Sequence, residues 1–213
     1  MKKTLILTLC TLAAVALAAG SAQAATYEVT VTNLTRGQIL SPPVVVSHQS
    51  GFSLFTPGEP ASPELAGLAE DALSEPLLAL LATEPQVRDA AIGSDVIMPG
   101  DSLTIEVEGQ GNFRRLTVVS MLVTTNDAFV AASGKLRTGA GYYGIAWDAG
   151  SETNTQNCAH IPGPPCGNPG VRVTGSAEGF VSVHAGIHGG GSLNPRQHDW
   201  RNPVASVSVR RVN

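Results

Sequence analysis

Apolar and polar residues alternate with a period of two from Thr26 to Thr32, where Tyr27, Val29 and Val31 sit between Glu28 and threonines. Successive side chains of an extended chain point to opposite faces, so the pattern predicts a half-buried strand. Val44-Val45-Val46, after Pro42-Pro43, predicts a second, more buried one. The period then changes. Ser62-Pro63-Glu64 supplies an N-cap, a first-turn proline and an acid at the positive end of a helix, and Leu65, Leu68, Ala69 and Ala72 follow at helical spacing. Another apolar run, Leu77 to Leu81, begins after Pro76, and Val87 to Ile92 adds a further turn. Residues 62–92 are thus predicted as a helical insertion.

Strands resume at Asp95. Leu103, Ile105 and Val107 alternate with Thr104, Glu106 and Glu108, and Leu116 to Val123 is almost continuously apolar, as expected of a central strand covered on both faces. Tyr142 to Trp147, Phe180 to Val183 and Val204 to Val212 predict three more. With 23 Gly and 14 Pro between these short strands, the pattern favours an all-β, antiparallel β-sandwich with a short helical insertion over a doubly wound α/β fold. No internal repeat is present. Residues 153–170 read as one long Pro/Gly-rich surface loop.

The first two dozen residues differ from the rest. Lys2 and Lys3, an apolar run from Leu5 to Ala19 and the sequence Ser21-Ala22-Gln23-Ala24-Ala25 form the three parts of a secretory signal peptide, residues 1–24. The apolar run is short for a membrane span, and no other long one follows, so the mature chain is expected to have no transmembrane segment. Without a Cys at the end of that run, a lipid anchor is not expected. Export would leave residues 25–213 as a single domain, periplasmic or secreted. Losing Lys2 and Lys3 reduces Lys+Arg from 13 to 11 against 17 Asp+Glu, a charge of −6, with Lys135 the sole lysine. Such a chain with scattered arginines is a poor nucleic-acid binder, and no nucleic acid is expected as a partner. Cys158 and Cys166, seven turn-prone residues apart, are expected to form one disulfide in an oxidising compartment; as zinc ligands they would be half a set.

Two groups of residues could carry chemistry. Thr125-Asn126-Asp127 follows the central strand, and Asp148-Ala149-Gly150-Ser151-Glu152-Thr153-Asn154 follows another. A glycine-containing turn between Asp148 and Glu152 can fold both carboxylates toward one point, and Asp127 from a neighbouring loop would add a third ligand for calcium. The same residues also suit plain turn chemistry, in which Asp and Asn satisfy their own backbone. His184 and His188 face the same way if the strand continues past Gly186, and could then bind zinc or copper; otherwise they bond loop carbonyls. No Gly-x-Ser-x-Gly elbow or catalytic-cysteine context occurs, and Gly189-Gly190-Gly191 lacks the setting of a phosphate loop. With 5% aromatic residues, few platforms exist for stacking a sugar, and Trp147 and Trp200 read as core or loop anchors.

The segment Ser120-Met121-Leu122-Val123-Thr124-Thr125-Asn126-Asp127-Ala128-Phe129, together with Trp147-Asp148-Ala149-Gly150-Ser151-Glu152, resembles the spondin amino-terminal domain family, most of all its stand-alone exported bacterial versions. Gly37-Gln38-Ile39-Leu40-Ser41-Pro42-Pro43, Ala69-Glu70-Asp71 and residues 178–189 agree, so the resemblance runs from about Tyr27 to Val212. It implies a β-sandwich similar to calcium-dependent lipid-binding modules, and one calcium ion held at Asp127, Asp148 and Glu152. Glu152 stands where the animal members have Asp, Ala128 where they have Trp, and their cysteine pattern is missing. The function expected is non-catalytic: calcium-dependent binding or adhesion at the cell envelope or outside the cell, with a protein or glycan ligand. The alternative is an envelope enzyme or transition-metal-handling protein using His184 and His188.

Overall fold

Residues 24–213 are described by a computed structural model; the expected signal peptide, apart from Ala24, lies outside the described residues. In chain order the elements are β1 (Ala25–Asn33), β2 (Val44–His48), α1 (Pro63–Asp71), α2 (Ser74–Thr83), β3 (Val87–Ile92), β4 (Ser102–Gly109), β5 (Arg115–Met121), β6 (Ala128–Lys135), β7 (Gly141–Asp148), a 3-10 turn (Cys158–His160), β8 (Ser182–Val183), α3 (Pro195–His198) and β9 (Ala205–Arg211). The strands pair antiparallel in the order β3-β2-β5-β6-β7-β9-β1-β4, and β8 pairs with β7 off this path. The fold is all-β with a short helical insertion, as the pattern predicts, and its antiparallel strands form one nearly closed sheet, a flattened barrel with β3 and β4 at its two edges.

One strand joins the two halves of the sheet. Gly141 to Gly144 of β7 pair with β9, while Ile145 to Asp148 pair with β6. The halves face each other across a core in which Val29 and Val31 of β1 and Val207 and Val209 of β9 meet Val45, Val118 and Val130 of β2, β5 and β6. On those last three strands the next residues along, Val44, Val46, Val119 and Phe129, point the other way and are buried beneath Leu65, Leu68, Leu77 and Leu81 of the two helices. The helices thus explain the almost unbroken apolar run in β5: both faces are covered. Each such side chain contributes about 1.5–3 kcal/mol by leaving water.

Residues 87–92 correct the sequence reading. The helical insertion ends at Thr83, and Val87 to Ile92 form an edge strand on β2, with Val44 opposite Ile92 and Val46 opposite Ala90. Pro85 disfavours helical geometry at Glu84, and β2 would otherwise leave a row of unpaired backbone groups. The remaining gap, between β3 and β4, is bridged by side chains. Glu108 N–H donates to Asp89 Oδ2 at 2.7 Å, Arg88 pairs with Glu108 at 3.1 Å, and Ser47 donates to the Glu108 carbonyl. Another difference is at Phe180 to Val183, where only Ser182 and Val183 pair as a strand.

Cys158 and Cys166 form the expected disulfide, with Cα atoms 4.7 Å apart. The loop it closes leans on the turn between β5 and β6: Gly163 N–H donates to Val123 O at 2.9 Å and Thr124 Oγ1 to Pro164 O at 2.7 Å. A Cβ on Gly163 would stand 2.1 Å from Val123 O, so only glycine permits this approach.

Ser62 caps α1 by accepting Leu65 N–H at 3.2 Å. The other end closes with Leu73 N–H on Gly67 O at 3.2 Å and Ala72 N–H on Leu68 O at 3.0 Å, which requires a left-handed residue, here Ala72 at φ 56°. That conformation costs an L-residue about 1–2 kcal/mol. Ala72→Gly should therefore raise unfolding stability by roughly 1 kcal/mol in chemical denaturation; an unchanged or lower midpoint would show that Ala72 carries no such strain.

Candidate metal centre

Asp127 is placed by the turn that leads from β5 into β6. Thr125 Oγ1 donates to Leu122 O at 2.6 Å and accepts Ala128 N–H at 3.0 Å, which locks the turn. Asp127 has no exposed surface. Its Oδ2 accepts Ser151 N–H (2.8 Å), Ser151 Oγ–H (3.2 Å) and Glu152 N–H (2.9 Å), so the next loop is bound directly to it.

Asp148 ends β7 opposite Ala128. Its Oδ1 accepts Gly150 N–H at 2.7 Å, and its Oδ2 accepts the Asn154 amide. Gly150, at φ +68°, turns the chain back toward Asp127, and a Cβ there would meet Phe180 O at 2.3 Å. This turn carries the Ser151 and Glu152 backbone onto Asp127, so that Asp148 and Glu152 each lie within electrostatic reach of Asp127. Glu152 is buried too, with Oε1 3.6 Å from Arg172 Nη1.

The electrostatics follow from this crowding. Burial, and then the charge of Asp148, push the Asp127 pKa up to about 7. Burial also raises Glu152 to about 7, with the Asp127 charge adding to it, and raises Asp148. Two carboxylate oxygens, Asp127 Oδ1 and Glu152 Oε2, are buried without a hydrogen-bond donor. An unpartnered buried acceptor is costly, and a charged one more so.

Three further charged residues complete the cluster, and two of them are acids. Glu70 and Asp71, at the end of α1, reach Arg172: Nη1 bonds Glu70, and Nη2 lies 2.9 Å from Asp71 Oδ2. Gly170 N–H also donates to Asp71 at 3.0 Å. Among the described residues Arg172 is the cation paired with this group of five carboxylates, through Glu70, Asp71 and Glu152. Nothing in the sequence marks Arg172. Glu70 and Asp71 stand out there only within the family resemblance, because their partners lie about a hundred residues away.

The histidines take different positions. His184 is buried, its ring 5.1 Å from Trp200, and burial lowers its pKa to about 4, so it is neutral. Its Nδ1 accepts Gly186 N–H at 2.9 Å, which leaves Nε2–H to donate to Asn154 Oδ1 at 3.0 Å. The imidazole has no lone pair left for a metal. Through Asn154 it instead holds the amide that binds Asp148. His188 is exposed in the same groove. Trp200 is buried in the core, and Trp147 packs against Phe55 at 5.2 Å, as anchors would.

Among the described residues no group of three or more His, Cys, Asp or Glu side chains is already arranged to hold a metal ion. The donor set nevertheless has the chemistry calcium requires, namely oxygen atoms with excess negative charge. Asp127 and Glu152 would offer their open oxygens, and Asp148, each of whose oxygens accepts one hydrogen bond, would add a remaining lone pair. No protein-family model matches the chain, and no curated protein matches it.

The open oxygen of Asp127 generates a prediction with a defined sign. Asp127→Asn keeps an acceptor for Ser151 and Glu152 and replaces a charged oxygen that lacks a donor by a neutral amide. In chelator at pH 8 it should stabilise the fold by roughly 1–3 kcal/mol, read by urea denaturation. A loss of stability there would contradict the charge-crowding account.

Proposed function

We propose that this chain is an exported, non-catalytic calcium-binding protein of the spondin type, acting as a binding or adhesion module at the cell envelope or outside the cell. The observation that carries this reading is the pair of buried oxygens without donors, Asp127 Oδ1 and Glu152 Oε2, on carboxyls whose pKa values are raised to about 7. Bound calcium would supply the double positive charge that a single guanidinium does not. The residue likeness at Asp127, Asp148 and Glu152 supports the same assignment, and the disulfide suits an oxidising compartment.

The chain's own groups define the work at this end of the barrel. Backbone donors of Ser151 and Glu152 orient Asp127, and Asn154, held by His184, orients Asp148. With the acids paired, residues 122–127 and 148–154 form one ordered rim for a protein or glycan partner. The alternative of a transition-metal or catalytic role for His184 and His188 has less support, since the Nδ1 lone pair of His184 is taken by Gly186.

Thermal unfolding of the purified, chelated protein, titrated with calcium, magnesium and zinc, tests the reading. Calcium should raise the Tm selectively, by the equivalent of about 2.7 kcal/mol at a hundredfold excess over Kd. Asp148→Ala and Glu152→Gln should abolish the rise. The response also depends on pH. Asp127 and Glu152 keep a proton to about pH 7 when folded but to about pH 4 when unfolded. The metal-free fold therefore binds more protons than the unfolded chain between those values, and its stability falls as pH rises through 7. His184, with its lowered pKa, acts oppositely below pH 6.5. Comparing calcium with chelator at each pH cancels that term, and the gap in Tm should widen from pH 5 to pH 8 as protons stop competing. Equal responses to calcium and magnesium, or none to either, would refute the assignment.

A further inference from the structure

We propose that the opposite end of the barrel carries a binding pocket for a phosphate or sulfate group borne on a small ring-bearing or lipid body, a site independent of the carboxylate cluster. Strands β5 and β6 run antiparallel to each other. Asp127 lies where one ends and the other begins, so Arg115 and Lys135 mark the far end. There a cavity of 390 Å³ has Arg114, Arg115, Lys135 and Arg137 on its walls, with Tyr27 and Leu136 as its apolar surface. Gly109 makes room for that surface: a Cβ would stand 2.8 Å from Leu136 and 3.0 Å from Tyr27. Arg211 shares the adjoining hollow with Arg114.

Three observations point to an anion as the ligand. First, Arg115 and Lys135 are directly opposite in the β5–β6 register, a pairing of like charges that destabilises a sheet unless something neutralises it. Second, among the described residues no carboxylate lines the cavity, and two acids of the neighbouring strands, Glu108 and Glu28, are engaged by Arg88 and Arg210. Third, the distribution of cations is uneven. Of the eleven Lys and Arg in residues 25–213, Arg88, Arg172, Arg201 and Arg210 make ion pairs among the described residues. Of the seven that do not, five are at this end: Arg114, Arg115, Lys135, Arg137 and Arg211. A concave site walled by one sign of charge concentrates ions of the other. Guanidinium forks match the oxygens of phosphate and sulfate, and an apolar wall suits the ring or chain that bears them.

Calorimetry in chelator at low ionic strength, with inorganic phosphate, sulfate and glucose 6-phosphate, tests this separately from any calcium site. A parallel sedimentation assay uses phosphatidylcholine vesicles with and without phosphatidic acid. Binding in either assay is expected, weakening as salt rises. Binding of glucose 6-phosphate without vesicle binding assigns a soluble ligand; vesicle binding that requires phosphatidic acid assigns a lipid headgroup. Lys135→Gln with Arg137→Gln changes two exposed side chains and should lower the affinity about tenfold or more. Arg196→Gln, at the exposed α3, should not change it. No binding in either assay, or binding that the double variant leaves intact, would overturn the proposal.

Discussion

Acids buried with too little positive charge set the terms for one end of this molecule. Asp127, Asp148, Glu152, Glu70 and Asp71 come from the β5–β6 turn, the β7 exit and the end of α1, and among the described residues Arg172 is the cation that pairs with this group, at Glu70, Asp71 and Glu152. Like charges at such range do not gather unless the fold compels them. Here the compulsion is the shared sheet, which fixes Asp148 beside Ala128, and backbone donors of Ser151 and Glu152 that fasten the second loop to Asp127. The disulfide loop presses on the same turn from outside through Gly163. The negative rim is thus an imposed arrangement, and its charge is what gives a cation something to do.

The far end has the reverse character, with arginines and a lysine around a partly apolar hollow. Antiparallel strands carry both ends in one stretch of chain: β5 opens with Arg115 and leads to the turn of Asp127, and β6 returns to Lys135. A modestly negative net charge therefore conceals two poles. Net charge describes solubility and encounter better than it describes a surface of this kind.

Much of the architecture was legible in the sequence because its signals were local. The alternation in β1 and β4, the Ser62-Pro63-Glu64 start of α1 and the continuous apolar run of β5 each state their own environment. Val87 to Ile92 misled because a short apolar run carries no decisive period; the unpaired edge of β2, invisible in sequence, decides its state. The three carboxylates were legible by spacing and likeness, since a glycine turn separates two of them. Arg172 was not, being positioned by packing against α1. The scattered arginines also looked unrelated, because only the register of β5 against β6 puts Arg115 next to Lys135.

Strand β7 belongs to both halves of the barrel, handing its pairing from β9 to β6 between Gly144 and Ile145. Neither half can be excised as an independent folding unit, for each would lose an interior strand and expose a long edge. A peptide cut between these residues would separate both sheets at once. A protease would accordingly meet either an intact barrel or an open chain, with no stable fragment between them. Wherever a protease is present, that indivisibility is a form of protection.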